Sequence, residues 1–198
     1  GMTDHSLVPM AARAAGLGPV RQAHAPTDEA LVDAVREQRA ILFLGSGASL
    51  GAVNRSGAAM PGATDLAKAL ATKFLTPKSA KDGLMVVAEL AASEAGSSAV
   101  NQWLADTFEA FEPTDAHLKL PTFRWKAIAT TNYDVLVEKA YDRSEDGTQS
   151  LVTRYKDDQP FGSMMDAQEH PLPFLKLHAC ARHAHDAQVP LVLTPSSS

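Results

Sequence analysis

Short apolar runs alternate with amphipathic segments along this chain, a pattern typical of an α/β protein. The run Ile41-Leu42-Phe43-Leu44 is unbroken, as expected for a strand that is buried on both faces of a parallel sheet. Further strands are predicted at residues 125–130, 151–155, 173–177 and 189–193. Apolar positions that recur about every 3.6 residues predict helices at about 28–39, 65–75, 83–95, 98–111 and 135–141.

Polar or glycine-rich residues directly follow three of these strands. Gly45-Ser46-Gly47 follows the first, Thr131-Asn132-Tyr133-Asp134 follows the second, and His178 follows the strand at 173–177. Parallel strands joined by right-handed crossovers all end at the same edge of a sheet. Because ligands of open α/β sheets bind at that edge, we expect these residues to form one site there.

The predicted elements define the domain organisation. Residues 1–25 show no clean period and are predicted to form a flexible arm. Residues 26–198 are predicted to form a Rossmann-like three-layer parallel sheet, with a helical insertion at about 64–121 whose first helix is capped by Thr64. Two stretches are predicted to be irregular, a mobile loop at 53–60 and a charged loop at 156–171.

The glycine-rich run after the first strand is a candidate for ligand binding, although taken alone it is a weak signal. Three glycines in the seven residues 45–51 let the backbone turn sharply and approach a ligand closely. A strand followed by such a turn commonly holds a nucleotide diphosphate through backbone N–H groups. The spacing G-x-G-x-x-x-G is one residue longer than the usual dinucleotide fingerprint, and alone it also fits a flexible strand-to-helix turn.

Composition narrows the classes of partner. The chain has 198 residues and a formal net charge of −5, so a nucleic-acid backbone is not expected as a direct partner. No apolar run approaches the ~20 residues of a membrane span, and no signal peptide is recognised. Cys180 is the only cysteine, which excludes an intrachain disulfide. Together these features predict a cytoplasmic protein with no membrane partner.

Three motifs in this order, LFLGSGAS at 42–49, TTNYD at 130–134 and KLH at 176–178, resemble the sirtuin-like NAD-binding domains. The resemblance is greatest to the prokaryotic branch that hydrolyses NAD instead of deacetylating proteins, and it spans about residues 40–194. It implies NAD as substrate or ligand, no metal cofactor, and cleavage of the nicotinamide–ribose bond to give nicotinamide and ADP-ribose. It is also compatible with a homo-oligomer and with a role in anti-phage defence.

The resemblance also assigns roles to individual residues. Asn132 would hold the nicotinamide ribose and an attacking water, Asp134 would meet the carboxamide, and His178 would act as the catalytic base. The remaining cofactor-binding residues would be Gly45, Ser46, Gly47, Ala48, Ser49 and Thr131. These roles suit the chemistry, because a histidine titrates near neutral pH and can take a proton from water or a ribose hydroxyl.

Some positions depart from the family pattern. Ala179 stands where a glycine usually follows the histidine. Cys180 stands alone, so the paired cysteines of a zinc ribbon are missing, which argues against a protein deacetylase. The sequence ends soon after Leu193-Thr194, where related domains continue, so the resemblance leaves two alternatives, a C-terminally truncated domain or another arrangement in place of the missing part.

Two alternatives stay open at this point. Asn132 and Asp134 are also residue types that cap helices, and the same fold could serve as a catalytically inactive sensor of NAD or ADP-ribose. A metal-binding or structural domain is the third hypothesis, because imidazole and thiolate groups hold zinc at short spacings. Its candidate ligands are His178, Cys180, His183, His185 and Asp186, for which a solvated loop is the simpler interpretation.

Overall fold

The computed structural model describes residues 28–145, 147–156 and 159–177, apart from the side chains of Pro77 and Ala80. The predicted arm at 1–25 and the predicted strand at 189–193 lie outside the described residues. The chain divides into two compact units. The first, here called the sheet unit, contains the described residues of 1–48, 115–132 and 137–177, and the second, the helical unit, contains 49–114 and 133–136.

The regular elements agree closely with the predicted ones. The strands are β1 Ile41–Leu44, β2 Ala127–Thr130, β3 Ser150–Arg154 and β4 Pro171–Lys176. The helices are α1 Asp28–Arg36, α2 Ala63–Phe74, α3 Leu84–Ala95, α4 Ser97–Glu109, α5 Asp115–Lys119, α6 Leu136–Asp142 and α7 Phe161–Asp166. Short 3-10 turns lie at Ser46–Ser49, Pro77–Asp82 and Leu120–Thr122.

The sheet unit contains a four-stranded sheet in the order β1-β2-β4-β3, and every pairing in it is parallel. Ile128 of β2 packs with Phe174 of β4 and Val137 of α6 on one face. The next residue along β2, Ala129, packs with Leu175 and with Phe161 of α7. Because successive side chains of a strand point to opposite faces, α6 and α7 cover opposite faces of the sheet. The predicted Rossmann-like three-layer arrangement is therefore confirmed.

The predicted burial of β1 on both faces was wrong. Leu42 and Leu44 pack against the cluster around Ile128, but Ile41 and Phe43 remain 44% and 40% exposed. The strand lies at the edge of the described sheet, and the α7 side of the core is built around β2 and β4. An unbroken apolar run in the sequence cannot distinguish an edge strand from a central one, because strand order depends on long-range pairing.

The second strand begins two residues later than predicted. At Trp125 the side chain of Gln149 makes the backbone hydrogen bonds that a neighbouring strand would otherwise make. Gln149 accepts a hydrogen bond from the backbone N–H of Trp125 (2.8 Å) and donates one to its carbonyl oxygen (2.9 Å). The indole N–H of Trp125 donates to the carbonyl oxygen of Leu120 (3.0 Å). The backbone polar groups of Trp125 are thus satisfied outside the β-ladder, and regular pairing starts at Ala127.

The helical unit is built from α2, α3 and α4, whose inward faces follow the predicted 3.6-residue period. Leu70, Val87 and Leu104 are at most 1% exposed, and the rings of Phe74 and Trp103 meet edge to face at 6.0 Å. The insertion predicted at 64–121 extends further at one end than the observed unit, since α5 belongs to the sheet unit. The predicted Thr64 cap was also wrong, because Gly62 is the N-cap of α2 and makes no side-chain cap hydrogen bond.

Two stretches that were predicted to be irregular contain local hydrogen-bonded structure. Asn54 organises the loop at 53–60, because its side-chain oxygen accepts hydrogen bonds from the N–H groups of Ser56 (3.0 Å) and Ala58 (2.9 Å). A β-bridge between Val53 and Ala59 closes that loop. The loop predicted at 156–171 contains α7, a helix of six residues that is too short to show a period in the sequence.

Candidate functional site

The glycine-rich turn after β1 is compact, but two of its glycines do not use their conformational freedom. Within the turn the N–H of Ala48 donates to the carbonyl oxygen of Gly45 at 2.9 Å. Only Gly51 of this run has a positive φ, at 86°. Within the described part of the chain, a Cβ added to Gly45 or Gly47 would meet no residue within 4 Å other than its neighbours in sequence. Neither the backbone conformation nor packing against the described residues therefore requires a glycine at position 45 or 47.

The same turn presents backbone donors. The N–H groups of Ser46 and Gly47 have no hydrogen-bond acceptor among the residues that the structure describes. Both residues are exposed, and they follow the carboxyl end of a parallel strand. Exposed N–H groups at such a position are suited to an anion such as a diphosphate.

Asn132 contacts the turn directly within the sheet unit. Its Nδ2 donates to the carbonyl oxygen of Gly45 at 2.9 Å, and its own N–H donates to Oγ1 of Thr130 at 3.0 Å. That hydroxyl in turn donates to the carbonyl oxygen of Leu44 (3.1 Å), and the N–H of Thr131 donates to the same oxygen (3.3 Å). The structure thus brings together the predicted residues of 45–48 with Thr131 and Asn132.

Ser49 and Asp134 form a separate buried pair within the helical unit. The Ser49 hydroxyl donates to Oδ2 of Asp134 at 2.5 Å, and the residues are only 6% and 8% exposed. Oδ1 of Asp134 accepts the N–H of Leu136 at 3.1 Å and so caps the start of α6. The helix-cap alternative weighed for Asp134 therefore describes its observed contacts, and the Ser49 hydroxyl is engaged by a protein acceptor.

Tyr133, the fourth residue of the TTNYD motif, also belongs to the helical unit. Its ring stacks on Phe108 with centroids 6.4 Å apart and an interplanar angle of 21°. Burial raises the pKa of Tyr133 to about 12, so its phenol is neutral at physiological pH. The aromatic ring of the motif is thus used for packing in this unit.

Sequence reasoning missed one charged pair beside the site. Lys176 and Glu138 form an ion pair with 2.9 Å between Nζ and Oε1, and their side chains are 0% and 6% exposed. Lys176 ends β4, and the signal in the sequence was a lysine within the otherwise apolar run Pro173-Phe174-Leu175-Lys176-Leu177. Such a lysine is rarely buried unless it has an acidic partner.

The predicted base, His178, and the proposed metal ligands Cys180, His183, His185 and Asp186 lie outside the described residues. Across 28–177, where residues are described, no three His, Cys, Asp or Glu side chains are grouped so that they could hold a metal ion. In that part of the chain no helix combines the length and apolar character needed to cross a membrane. The described part of the candidate site consists of residues 45–48 with Thr131 and Asn132.

Comparison with known proteins adds no assignment. No protein-family model matches this chain, and no curated protein matches it either.

Proposed function

We propose that the chain binds NAD or ADP-ribose at the carboxyl edge of its sheet, with the diphosphate on the glycine-rich turn. The observation that carries this proposal is the open space at Gly45 and Gly47, where φ is not positive and a Cβ would meet no described residue within 4 Å apart from its neighbours along the chain. The N–H groups of Ser46 and Gly47 belong to the same turn and have no acceptor among the described residues, so they are suited to phosphate oxygens. A ligand that approaches the backbone closely would occupy the space of a Cβ at both positions, which would account for the two glycines.

Asn132 is the residue proposed to contact the nicotinamide ribose of the ligand. Its Nδ2 donates to the Gly45 carbonyl oxygen at 2.9 Å, which holds the amide against the turn, and the same amide carries the acceptor Oδ1. An oxygen held in this way can accept a hydrogen bond from a ribose hydroxyl or from a water molecule. The turn and the amide share one carbonyl oxygen, so a nucleotide that binds the turn comes within reach of Asn132.

The proposed reaction is hydrolysis of the bond between nicotinamide and ribose. When that bond breaks, its electron pair leaves with nicotinamide, which becomes neutral, and positive charge develops on the ribose. Water then attacks the ribose carbon and loses a proton to a base, so NAD and water give ADP-ribose, nicotinamide and a proton. In the proposed roles Asn132 orients the water and His178 takes the proton, as the resemblance to sirtuin-like domains implies.

Nicotinamide release by the purified protein is the direct test of this proposal. We expect the wild type to release nicotinamide from NAD, and we expect Asn132→Ala and His178→Ala to abolish release while the protein stays folded. Asn101→Ala is the matched control, because Asn101 lies in α4 of the helical unit. Unchanged turnover in Asn132→Ala would exclude the proposed role of that amide.

Ligand-dependent melting distinguishes turnover from binding alone. A ligand present at ~100 times its dissociation constant adds ~2.7 kcal/mol to the free energy of unfolding. Stabilisation by ADP-ribose without nicotinamide release would identify an NAD or ADP-ribose sensor, the alternative that Ala179 favours. Absence of both effects, together with zinc in elemental analysis of the purified protein, would instead support the metal-binding alternative.

A further inference from the structure

The ion pair of Lys176 and Glu138 is the most deeply buried charged feature of the sheet unit. Nζ and Oε1 lie 2.9 Å apart, and neither side chain is more than 6% exposed. Nζ also lies 5.6 Å from the centroid of the Phe174 ring, within the range of a cation–π interaction. The ammonium group is therefore held between a carboxylate and an aromatic face, away from solvent.

A contribution to folding stability does not by itself explain why this ion pair is buried. Removing two charges from water costs several kcal/mol per ion, and replacing a buried pair by apolar side chains of similar volume is often neutral or even stabilising. What a buried pair does supply is a fixed relative position of the two elements that carry it. Lys176 is the last residue of β4, and Glu138 lies in the first turn of α6.

Both β4 and α6 are connected to Asn132, β4 through its pairing with β2 and α6 through the chain that follows Asn132. Lys176 is paired with Thr130 in the β2–β4 ladder, and the N–H of Leu177 donates to the Thr130 carbonyl oxygen at 2.9 Å. Asn132 follows Thr130 by two residues, its N–H donates to Oγ1 of Thr130 at 3.0 Å, and α6 begins four residues after Asn132. The ion pair thus ties the strand beside Asn132 to the helix that follows Asn132 in the chain.

We propose that Lys176 and Glu138 are positioning residues that hold the Asn132 amide in the orientation needed for the ligand. This inference rests on the proposed function, because it assigns the pair a role at the same site. A site of this kind needs its contacting groups held within a fraction of an ångström, which depends on the layer of residues behind them. Neither residue of the pair needs to touch the ligand for this role.

The test replaces both charges together, with Lys176→Met/Glu138→Met, so that no buried charge is left without its partner. The double variant is expected to melt near the wild-type temperature, yet to lower kcat for nicotinamide release by about tenfold or more with a smaller change in KM. If the wild type binds without turnover, the dissociation constant of ADP-ribose replaces kcat as the readout. The matched control is Lys68→Met/Asp65→Met, which removes an ion pair of 3.0 Å whose side chains are 60% and 68% exposed.

Combination with Asn132→Ala separates positioning from a general structural effect. Because Asn132→Ala is expected to abolish release, the cycle is read on the dissociation constant of ADP-ribose. If the pair acts through that amide, its replacement has no further effect on this constant in the Asn132→Ala background. If the double Met variant does not fold, Lys176→Gln/Glu138→Gln keeps two hydrogen-bonding side chains without a buried charge and enters the same cycle. Unchanged ligand parameters in a folded variant, or effects that simply add to those of Asn132→Ala, would overturn the positioning role alone. A wild type that binds neither NAD nor ADP-ribose would overturn the proposed function itself.

Discussion

The hydroxyl of Ser49 donates a 2.5 Å hydrogen bond to the carboxylate of Asp134, and both side chains are buried. A buried hydrogen bond to a charged group is worth about 1.5–3 kcal/mol, so Ser49→Ala is expected to lower the free energy of unfolding by about that amount. Asp134→Ala is expected to cost more, because it also removes the cap of α6. Urea unfolding measures both effects.

Ser98→Ala is the control for this pair, because Ser98 is an exposed residue of α4. Its effect should stay within about 0.5 kcal/mol. Equal unfolding free energies for Ser49→Ala and Ser98→Ala would show that the buried hydrogen bond contributes nothing measurable.

The glycine-rich turn gives a prediction that separates folding from ligand binding. Gly45→Ala and Gly47→Ala should leave the unfolding free energy unchanged or raise it by about 0.4–1 kcal/mol, because neither site requires a positive φ. The added methyl groups should nevertheless weaken ADP-ribose binding by about tenfold or more, which corresponds to about 1.4 kcal/mol in titration calorimetry.

Two other glycines are the controls for that experiment. Gly62 also lacks a positive φ, and a Cβ there would meet no described residue other than its chain neighbours. Gly62→Ala should therefore leave ADP-ribose binding unchanged, although at the N-cap of α2 it should lower stability by about 1 kcal/mol. Gly51 has φ of 86°, and Gly51→Ala should cost about 1–2 kcal/mol of stability. Tight ADP-ribose binding by Gly47→Ala would contradict the proposed placement of the diphosphate.

The two units should respond alike to loss of a buried leucine. Leu70 in the helical unit and Leu172 in the sheet unit are both 0% exposed. Their replacement by alanine should lower the unfolding free energy by about 2–5 kcal/mol, through lost burial and a residual cavity. Leu31→Ala makes the same chemical change at a position that is 52% exposed, and it should cost far less. Similar midpoints in urea for Leu172→Ala and Leu31→Ala would contradict the described core.

Tyr133 should make stability depend on pH in the alkaline range. Burial raises its pKa from 10.0 to about 12, so the folded state holds the phenolic proton more tightly than the unfolded state does. Its contribution is therefore fully present below pH 10 and is lost as the pH rises towards 12. Tyr133→Phe should flatten this loss, whereas Tyr155→Phe controls for removing a phenol elsewhere. An unchanged pH profile in Tyr133→Phe would contradict the burial of the phenol.

The strands and long helices could be predicted from the sequence because each has a local signature. The apolar run at 41–44 coincides with β1, and the period of 3.6 residues located α2, α3 and α4. The edge position of β1 could not be predicted, because it depends on which strands pair across more than eighty residues. Likewise α7 has only six residues, and Gln149 completes the hydrogen bonds of Trp125 through a side chain.

The sequence also allowed part of the candidate site to be predicted, namely which residues lie close together. The rule that parallel strands end at one edge correctly brought the glycine-rich turn to Asn132. It could not indicate that Asp134 would use one carboxylate oxygen to cap α6 and the other to accept the Ser49 hydroxyl. Capping and ligand binding call for the same residue types, so only the folded chain distinguishes them. The burial of Lys176 was equally hidden, because its partner Glu138 is distant in sequence.

A single oxygen atom joins the two halves of the described site. The Gly45 carbonyl accepts both the N–H of Ala48 and the side-chain amide of Asn132, each at 2.9 Å. A carbonyl oxygen has two lone pairs, so both are occupied and the peptide plane after Gly45 has little freedom to rotate. A ligand that rotates this peptide plane must therefore distort both hydrogen bonds at once. Movement of the turn is in this way coupled to movement of the Asn132 side chain.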